Sequence, residues 1–232
     1  MPYRPVECAD RATMAGRVAQ AIVDDLQSAI ELQDRASLIV PGGTTPVAVF
    51  EQLAEVPLPW NKVTIIPCDE RWVPLDHPDS NEGLIRRHLC RDGAQGASIL
   101  SLYRNGLEPA TAVAQVSAVL AAVPRPFSSV FLGMGEDGHF ASLFPGRPET
   151  QTALSPTGTA EIMTLSEPAK GHQRIGLTLA ALLQCRRILL AVSGQEKRMA
   201  LNRAIDNINT DTFPVSALLR QQRTPVEIFL GA

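Results

Sequence analysis

The residues best suited to catalysis lie in one glycine-rich stretch, Leu132-Gly133-Met134-Gly135-Glu136-Asp137-Gly138-His139-Phe140-Ala141-Ser142-Leu143-Phe144-Pro145-Gly146. Asp137 and His139 stand two positions apart within it. An imidazole can take a proton near neutral pH, and a carboxylate can orient it for that task. The backbone N–H groups of Gly133, Gly135 and Gly138 are candidate donors to an oxyanion. The stretch begins as GxGxxG, the pattern of a dinucleotide turn, but its context argues against that reading. It lies past the middle of the chain, Pro145-Gly146 stops any long helix after it, and no acidic residue follows at the end of a next strand to hold a ribose. Ser142 is not in a GxSxG elbow, so a serine-hydrolase triad has little support.

Three other groups fit the same kind of site. Pro41-Gly42-Gly43-Thr44-Thr45-Pro46 links a strand to a helix. Gly42 and Gly43 let the backbone approach a ligand, Thr44 or Thr45 can cap the helix, and Pro46 suits its first turn. Such a turn reads either as an anion site, with phosphate the usual occupant, or as a plain capped turn. Asp69-Glu70-Arg71-Trp72 puts two carboxylates and a guanidinium at the end of a strand, where charge is costly to bury unless paired. Asp69 and Arg71 read as an acid and an anion-binding group. The alternative is an ion pair to a neighbouring loop, which suits Glu70 best. Arg174 stands just ahead of an apolar helix placed at 175–183, and Lys197 opens a helix, where its charge opposes the macrodipole. A bound anion would offset that cost; a solvated surface lysine is the other reading. His77, His88 and His172 are read as structural.

Strands and helices must alternate to position such loops, and the chain has that pattern. Val18, Ile22, Leu26 and Ile30 recur every fourth residue, with Ala19 and Val23 beside them, which predicts an amphipathic helix over 12–32. Strands are predicted at 37–40, 63–68, 98–102, 129–132, 161–165, 187–192 and 226–230. Further helices are predicted at 46–55, from Ser80 to 89, and at 109–122, 177–184, 195–205 and 214–220. Short apolar strands between amphipathic helices argue for a Rossmann-like α/β fold, a mainly parallel sheet with helices on both faces. Ligands of such folds bind beyond the carboxyl ends of the strands. No repeat or linker divides the chain, and the loop expected at 145–158 is too short for a hinge. Residues 1–232 are expected to form a single domain.

Composition narrows the function. The 232 residues are 45% apolar and 19% charged, with 21 basic against 24 acidic side chains and a formal net charge of −3. A general nucleic-acid binder needs a basic face, which this balance does not supply. Disorder is unexpected at this hydrophobicity, and the longest apolar runs fall far short of the ~20 residues of a membrane span. Cys8, Cys68, Cys90 and Cys185 show no CxxC or Cys/His ligand spacing, so no zinc site is expected. With no signal peptide at the N-terminus, the expected compartment is the reducing cytoplasm.

Taken in order, PGGTTP, DERWVPLDHPDSN, LGMGEDGHFASLFPG and RIGLTLAALLQCRRILLAVSGQEK resemble the 6-phosphogluconolactonase family, over nearly the whole chain. The resemblance implies the α/β fold shared with the amino-sugar-phosphate deaminase/isomerases. It implies hydrolysis of 6-phosphogluconolactone, the lactone of the oxidative pentose phosphate pathway, with no metal and no cofactor. The implied partner is a small sugar phosphate, with neither nucleic acid nor membrane, and the chain is expected as a monomer or weak homo-oligomer. His139 becomes the base that activates water, and Asp69 and Asp137 acidic site residues. Gly43, Thr44, Arg71, Arg174 and Lys197 surround the phosphate, with Gly42 and Thr45 in the same loop. Pro41 stands where the family often has serine, and Phe140 where threonine is frequent. The deaminase/isomerase pattern resembles DGHIAFNEPG, with a glutamate before Pro-Gly, and Phe144 takes that place here. Ring opening and isomerisation need that extra acid, so the lactonase is favoured. A sugar-phosphate sensor would need a partner or DNA-binding segment, and neither terminus shows one.

Overall fold

The computed structural model describes residues 3–166, 171–207 and 209–232. The chain enters on β1 (Tyr3–Glu7), then runs through α1 (Arg11–Gln33), β2 (Ala36–Val40), α2 (Val47–Ala54) and β3 (Val63–Pro67). Next come β4 (Asp69–Arg71), α3 (Asn81–His88), β5 (Ser98–Ile99), α4 (Pro109–Ala121) and β6 (Ser129–Gly133). The second half holds α5 (Pro148–Ala153), β7 (Ile162–Leu165), β8 (Arg174–Leu177), α6 (Leu179–Leu182), β9 (Ile188–Ser193), α7 (Gln195–Asp206), α8 (Val215–Arg220) and β10 (Val226–Gly231). Seven strands form one sheet in the order β1-β10-β9-β6-β2-β3-β5. Every pairing in it is parallel, as the alternation of strands and helices predicted.

Both faces of this sheet are covered. β2 and β9 are buried at every position, which is why they read as unbroken apolar runs. Alternate side chains serve opposite cores. Leu38, Val40, Ile65, Phe131 and Leu189 pack with α1, α2 and α3, whereas Ile39, Ile66, Val130, Leu132 and Leu190 pack with α4, α6, α7 and α8. α1 shows the local logic. The Asp10 carboxylate accepts the Thr13 N–H (2.7 Å) at its start, Met14, Val18, Ile22 and Leu26 form its buried stripe, and Asp34 turns left-handed to end it. Truncating one of these fully buried leucines to alanine costs ~2–5 kcal/mol through the cavity left behind.

The fold departs from expectation in three places. β4, β8 and β7 form a second, antiparallel sheet. Its strand β8 takes up Arg174–Leu177, the residues expected at the head of a helix, and α6 shrinks to one turn capped by the Thr178 hydroxyl. An apolar run of this length suits a buried strand as well as a buried helix, and pairing with β4 and β7 decides between them. β1 carries no apolar alternation and escaped prediction; its Pro5 is tolerated because the strand lies at the sheet edge. The long loop expected at 145–158 contains the short helix α5.

The winding direction reverses between β2 and β6. From β2 the chain adds β3 and then β5 on one side, while β6, β9 and β10 extend the other. The carboxyl ends of β2 and β6 therefore flank a crevice, the place where open α/β sheets bind their ligands. Among the described residues no helix is long and apolar enough to cross a membrane.

Candidate active site

A cavity of about 250 Å³ opens at that crevice. Four neighbouring strands build its walls. The loop after β2 brings Gly42, Gly43, Thr44 and Thr45; β4, directly after β3, brings Asp69 and Arg71; β6 and its loop bring Gly133, Gly135 and His139; the first turn of α7, after β9, brings Lys197. Arg174 reaches in from β8. Asp137 and Gly138 are the two expected site residues outside the lining, one bonded to His139 and the other in the turn below it.

His139 Nδ1 lies 2.5 Å from Asp137 Oδ1, and the same oxygen accepts the His139 backbone N–H at 3.1 Å. Asp137 is thus the carboxylate that orients the imidazole. Burial alone would raise the Asp137 carboxyl, but the hydrogen bonds and charge interaction with His139 outweigh it and hold the group below its ordinary range. A carboxylate at Nδ1 favours the tautomer with its proton there and leaves the Nε2 lone pair for water. The ring rests on Phe144, with centroids 4.4 Å apart. Gly135 is dictated by this packing, since a Cβ there would sit 2.2 Å from the His139 ring.

The glycine loop corrects one expectation. Gly135 donates its N–H to the His139 carbonyl (2.9 Å) and Gly138 donates to the Gly135 carbonyl (3.1 Å). These two N–H groups close the turn that holds His139, so they are not oxyanion donors. Gly133 stays on the cavity wall.

Asp69 does not touch His139. It is buried, accepts hydrogen bonds from the Ser142 hydroxyl and the Cys68 thiol, and faces Arg174 Nη1 at 3.6 Å. Arg174 also donates to the Ser142 Oγ at 3.3 Å, and its guanidinium lies 5.3 Å from the Phe144 ring centre. Ala141 and Ser142 both have left-handed backbones, at φ 48° and 61°. Two consecutive non-glycine residues in that region are strained and persist only where the surroundings enforce them. Ser142, set aside above as a nucleophile, is here the link between an acid and an arginine.

The β2 loop corrects a second expectation, because neither threonine caps α2. The N-cap is Pro46, whose side chain makes no capping bond, and Thr45 Oγ1 instead lies 3.4 Å from Lys197 Nζ. Burial lowers the Lys197 ammonium, with Glu136 opposing that shift and Arg11 adding to it. Gly42 meets Asn81 so closely that a Cβ would fall 1.9 Å from its Oδ1. Asn81 is a cavity residue that the sequence reading did not single out, although it ends the quoted DHPDSN segment. Its amide donates to the Asp69 carbonyl at 2.8 Å. Glu70 is structural, as read, yet it makes no ion pair of the kind expected among the described residues. Its carboxylate accepts the N–H groups of Arg71, Asn81 and Glu82, each at 2.7 Å, and so anchors the start of α3. Arg71 Nη1 donates to the Asp79 carbonyl at 2.7 Å, while its buried Nε has no hydrogen-bond partner among the described residues.

The family profile described as "Glucosamine-6-phosphate isomerases/6-phosphogluconolactonase" matches residues 9–226. A 6-phosphogluconolactonase of Pseudomonas aeruginosa is 40% identical over 92% of this chain and 90% of its own length. The chain belongs to the 6-phosphogluconolactonase family. It is thereby a hydrolase of that type. A 6-phosphogluconolactonase from Caulobacter vibrioides is 36% identical over 98% of both chains. The crystal structure of a 6-phosphogluconolactonase from Shewanella baltica superposes with a TM-score of 0.94 at 33% identity, covering 98% of this chain and 97% of that one. A monomeric glucosamine-6-phosphate deaminase shares the fold, with a TM-score of 0.78 at 19% identity.

Family membership gives the geometry a frame. Three cations, Arg71, Arg174 and Lys197, converge on a cavity whose only lining carboxylate among the described residues is Asp69. Such a site favours an anionic ligand. Phe144, absent from the lining, shapes the cavity by seating both His139 and Arg174.

Proposed function

We propose that this chain hydrolyses 6-phosphogluconolactone to 6-phosphogluconate in the oxidative pentose phosphate pathway, with His139 as general base. The observation that carries the reading is the 2.5 Å Asp137–His139 pair at a cavity walled by three cations. The substrate phosphate sits against the 42–45 loop and Lys197, with Arg71 and Arg174 assisting. Anchoring at the phosphate holds the lactone carbonyl in one orientation, which turns a bimolecular encounter into an oriented one.

His139 Nε2 takes a proton from water as the water oxygen bonds to the lactone carbonyl carbon. The carbonyl electrons move to oxygen and form a tetrahedral intermediate. Collapse of that intermediate breaks the bond to the ring oxygen, which receives the proton back from the imidazolium. Asp137 stabilises the imidazolium while it exists. General-base assistance of this kind is worth ~10²–10⁴-fold. Phe144 beside the imidazole offers no second acid, which supports hydrolysis over ring-opening isomerisation.

The test is the loss of freshly generated 6-phosphogluconolactone on adding pure protein, corrected for spontaneous hydrolysis, with glucosamine 6-phosphate as control. Accelerated loss of the lactone alone is expected. Turnover of glucosamine 6-phosphate in its place would overturn the reading.

A further inference from the structure

We infer that His77, Asp79 and His172 form a binding site for a divalent transition-metal ion of the zinc class, outside the catalytic cavity. Their ligand atoms all lie within 4.8 Å of one another, the one such group among the described residues. Asp79 Oδ2 is 3.1 Å from His172 Nε2 and 3.9 Å from His77 Nδ1. Ligands ~2.0–2.1 Å from zinc at tetrahedral angles stand ~3.3–3.5 Å apart, a spacing that these two distances bracket. Small side-chain rotations would bring all three into place.

The donor set selects the metal. Two imidazole nitrogens and one carboxylate oxygen suit zinc, nickel or copper, whereas magnesium and calcium call for oxygen alone. Three protein ligands leave one position of a tetrahedral ion for water.

The ligands come from two segments 93 residues apart, and backbone hydrogen bonds hold each segment. In the turn before α3, the His77 N–H donates to the Pro74 carbonyl and the Ser80 N–H to the His77 carbonyl, both at 3.0 Å. The Asp79 N–H donates to His77 Nδ1 at 3.1 Å and keeps that ring turned toward Asp79; coordination through Nδ1 would replace this bond. On the other side the Trp72 N–H donates to the Gln173 carbonyl at 2.7 Å, which fixes the chain next to His172. The two rings meet edge to face, 5.1 Å between centroids. Ligands positioned in advance lose little freedom on binding an ion.

The ion would act as a brace. It would join the β4–α3 turn to the approach of β8, the two segments that deliver Arg71 and Arg174. Asp79 contributes twice, its carboxylate to the ion and its carbonyl to Arg71.

The experiment uses the full chain, stripped of metal by chelation and titrated with Zn²⁺ by calorimetry, with Co²⁺ absorption as a second readout. One ion is expected to bind with a cobalt spectrum of nitrogen and oxygen ligands, and to raise Tm. The double variant His77→Gln/His172→Gln should weaken this by more than the ~10–100-fold that loss of an outer-shell partner costs, and should abolish the Tm shift. Asp79→Asn, a single gentler change, should weaken it in the same direction. His139→Gln should leave it intact. Unchanged binding in the double variant and in Asp79→Asn, loss only in His139→Gln, or no saturable binding by the wild type would each overturn the proposal. None of these outcomes depends on the lactonase reading.

Discussion

Residues 137–142 serve two neighbouring groups of opposite character. Asp137 and His139 keep 43% and 32% of their side-chain surface exposed and share one short hydrogen bond. Three residues further on, Ser142 joins Asp69 and Arg174 in a cluster that is nearly closed to solvent. A group that exchanges protons with water must meet water, and the proposed base with its carboxylate sits at the lip. A charge kept as a fixed part of the wall gains from burial only if its partners are complete, because an unpaired buried ion is expensive. The strained backbone at Ala141 and Ser142 marks the crossing from one regime to the other.

The contrast makes separable predictions. His139→Ala should lower kcat by ~10²–10⁴-fold while leaving stability and the binding of 6-phosphogluconate little changed. Initial rates and calorimetry with the product check this, and an unaltered kcat would place the base elsewhere. Asp69→Ala should act in the opposite way. It removes a buried carboxylate that accepts from Ser142 and Cys68 and faces Arg174, and should destabilise the fold by ~1–3 kcal/mol in urea unfolding, a cost that Asp137→Ala should not share. Equal losses in the two variants would erase the distinction between lip and wall.

Lys197→Ala lies between these extremes. Losing a charge-assisted contact worth ~1.5–3 kcal/mol should raise KM for the phosphorylated lactone by ~10–100-fold and barely affect an unphosphorylated lactone. Equal effects on both substrates would count against a phosphate role. A pH-dependent effect concerns Glu70, a buried carboxylate that accepts from three backbone N–H groups and the Ser80 hydroxyl. Burial pushes its pKa from 4.5 to about 7, against the pull of the Glu82, Asn81 and Arg71 N–H groups. The folded state then holds this proton across a window where the unfolded chain has released it. Its contribution to stability is complete below pH 4.5 and is lost as pH rises through about 7. Glu70→Gln does not titrate, so its stability relative to wild type should rise between pH 5 and 8 in denaturation curves. A flat difference would show that Glu70 is ionised throughout.

Much of the fold was legible along the chain. Every strand of the parallel sheet except β1 appeared as a short apolar run, and Ser80 caps α3 as its position predicted. The glycine loops, Asp137 with His139, and Lys197 were legible as candidates from residue type and spacing. Arg174 was legible as a residue but not as a strand, because Ile175, Leu177 and Leu179 suit either structure until β4 and β7 pair with the first two. Asn81 and Ser142 were not legible. Each matters through one contact with Asp69, across 12 and 73 positions of sequence.

The sequence by itself therefore determined the alternation of strands and helices, the turns that need glycine, and the placing of a carboxylate two residues from an imidazole. These are local properties, governed by periodicity and by backbone preferences within a few residues. Only the tertiary structure decided that Asp137 rather than Asp69 orients His139, that Thr45 meets Lys197 rather than capping α2, and that Asp69, Ser142 and Arg174 close the wall. Those partners depend on which strands become neighbours, and that is settled by burying both faces of one sheet at once.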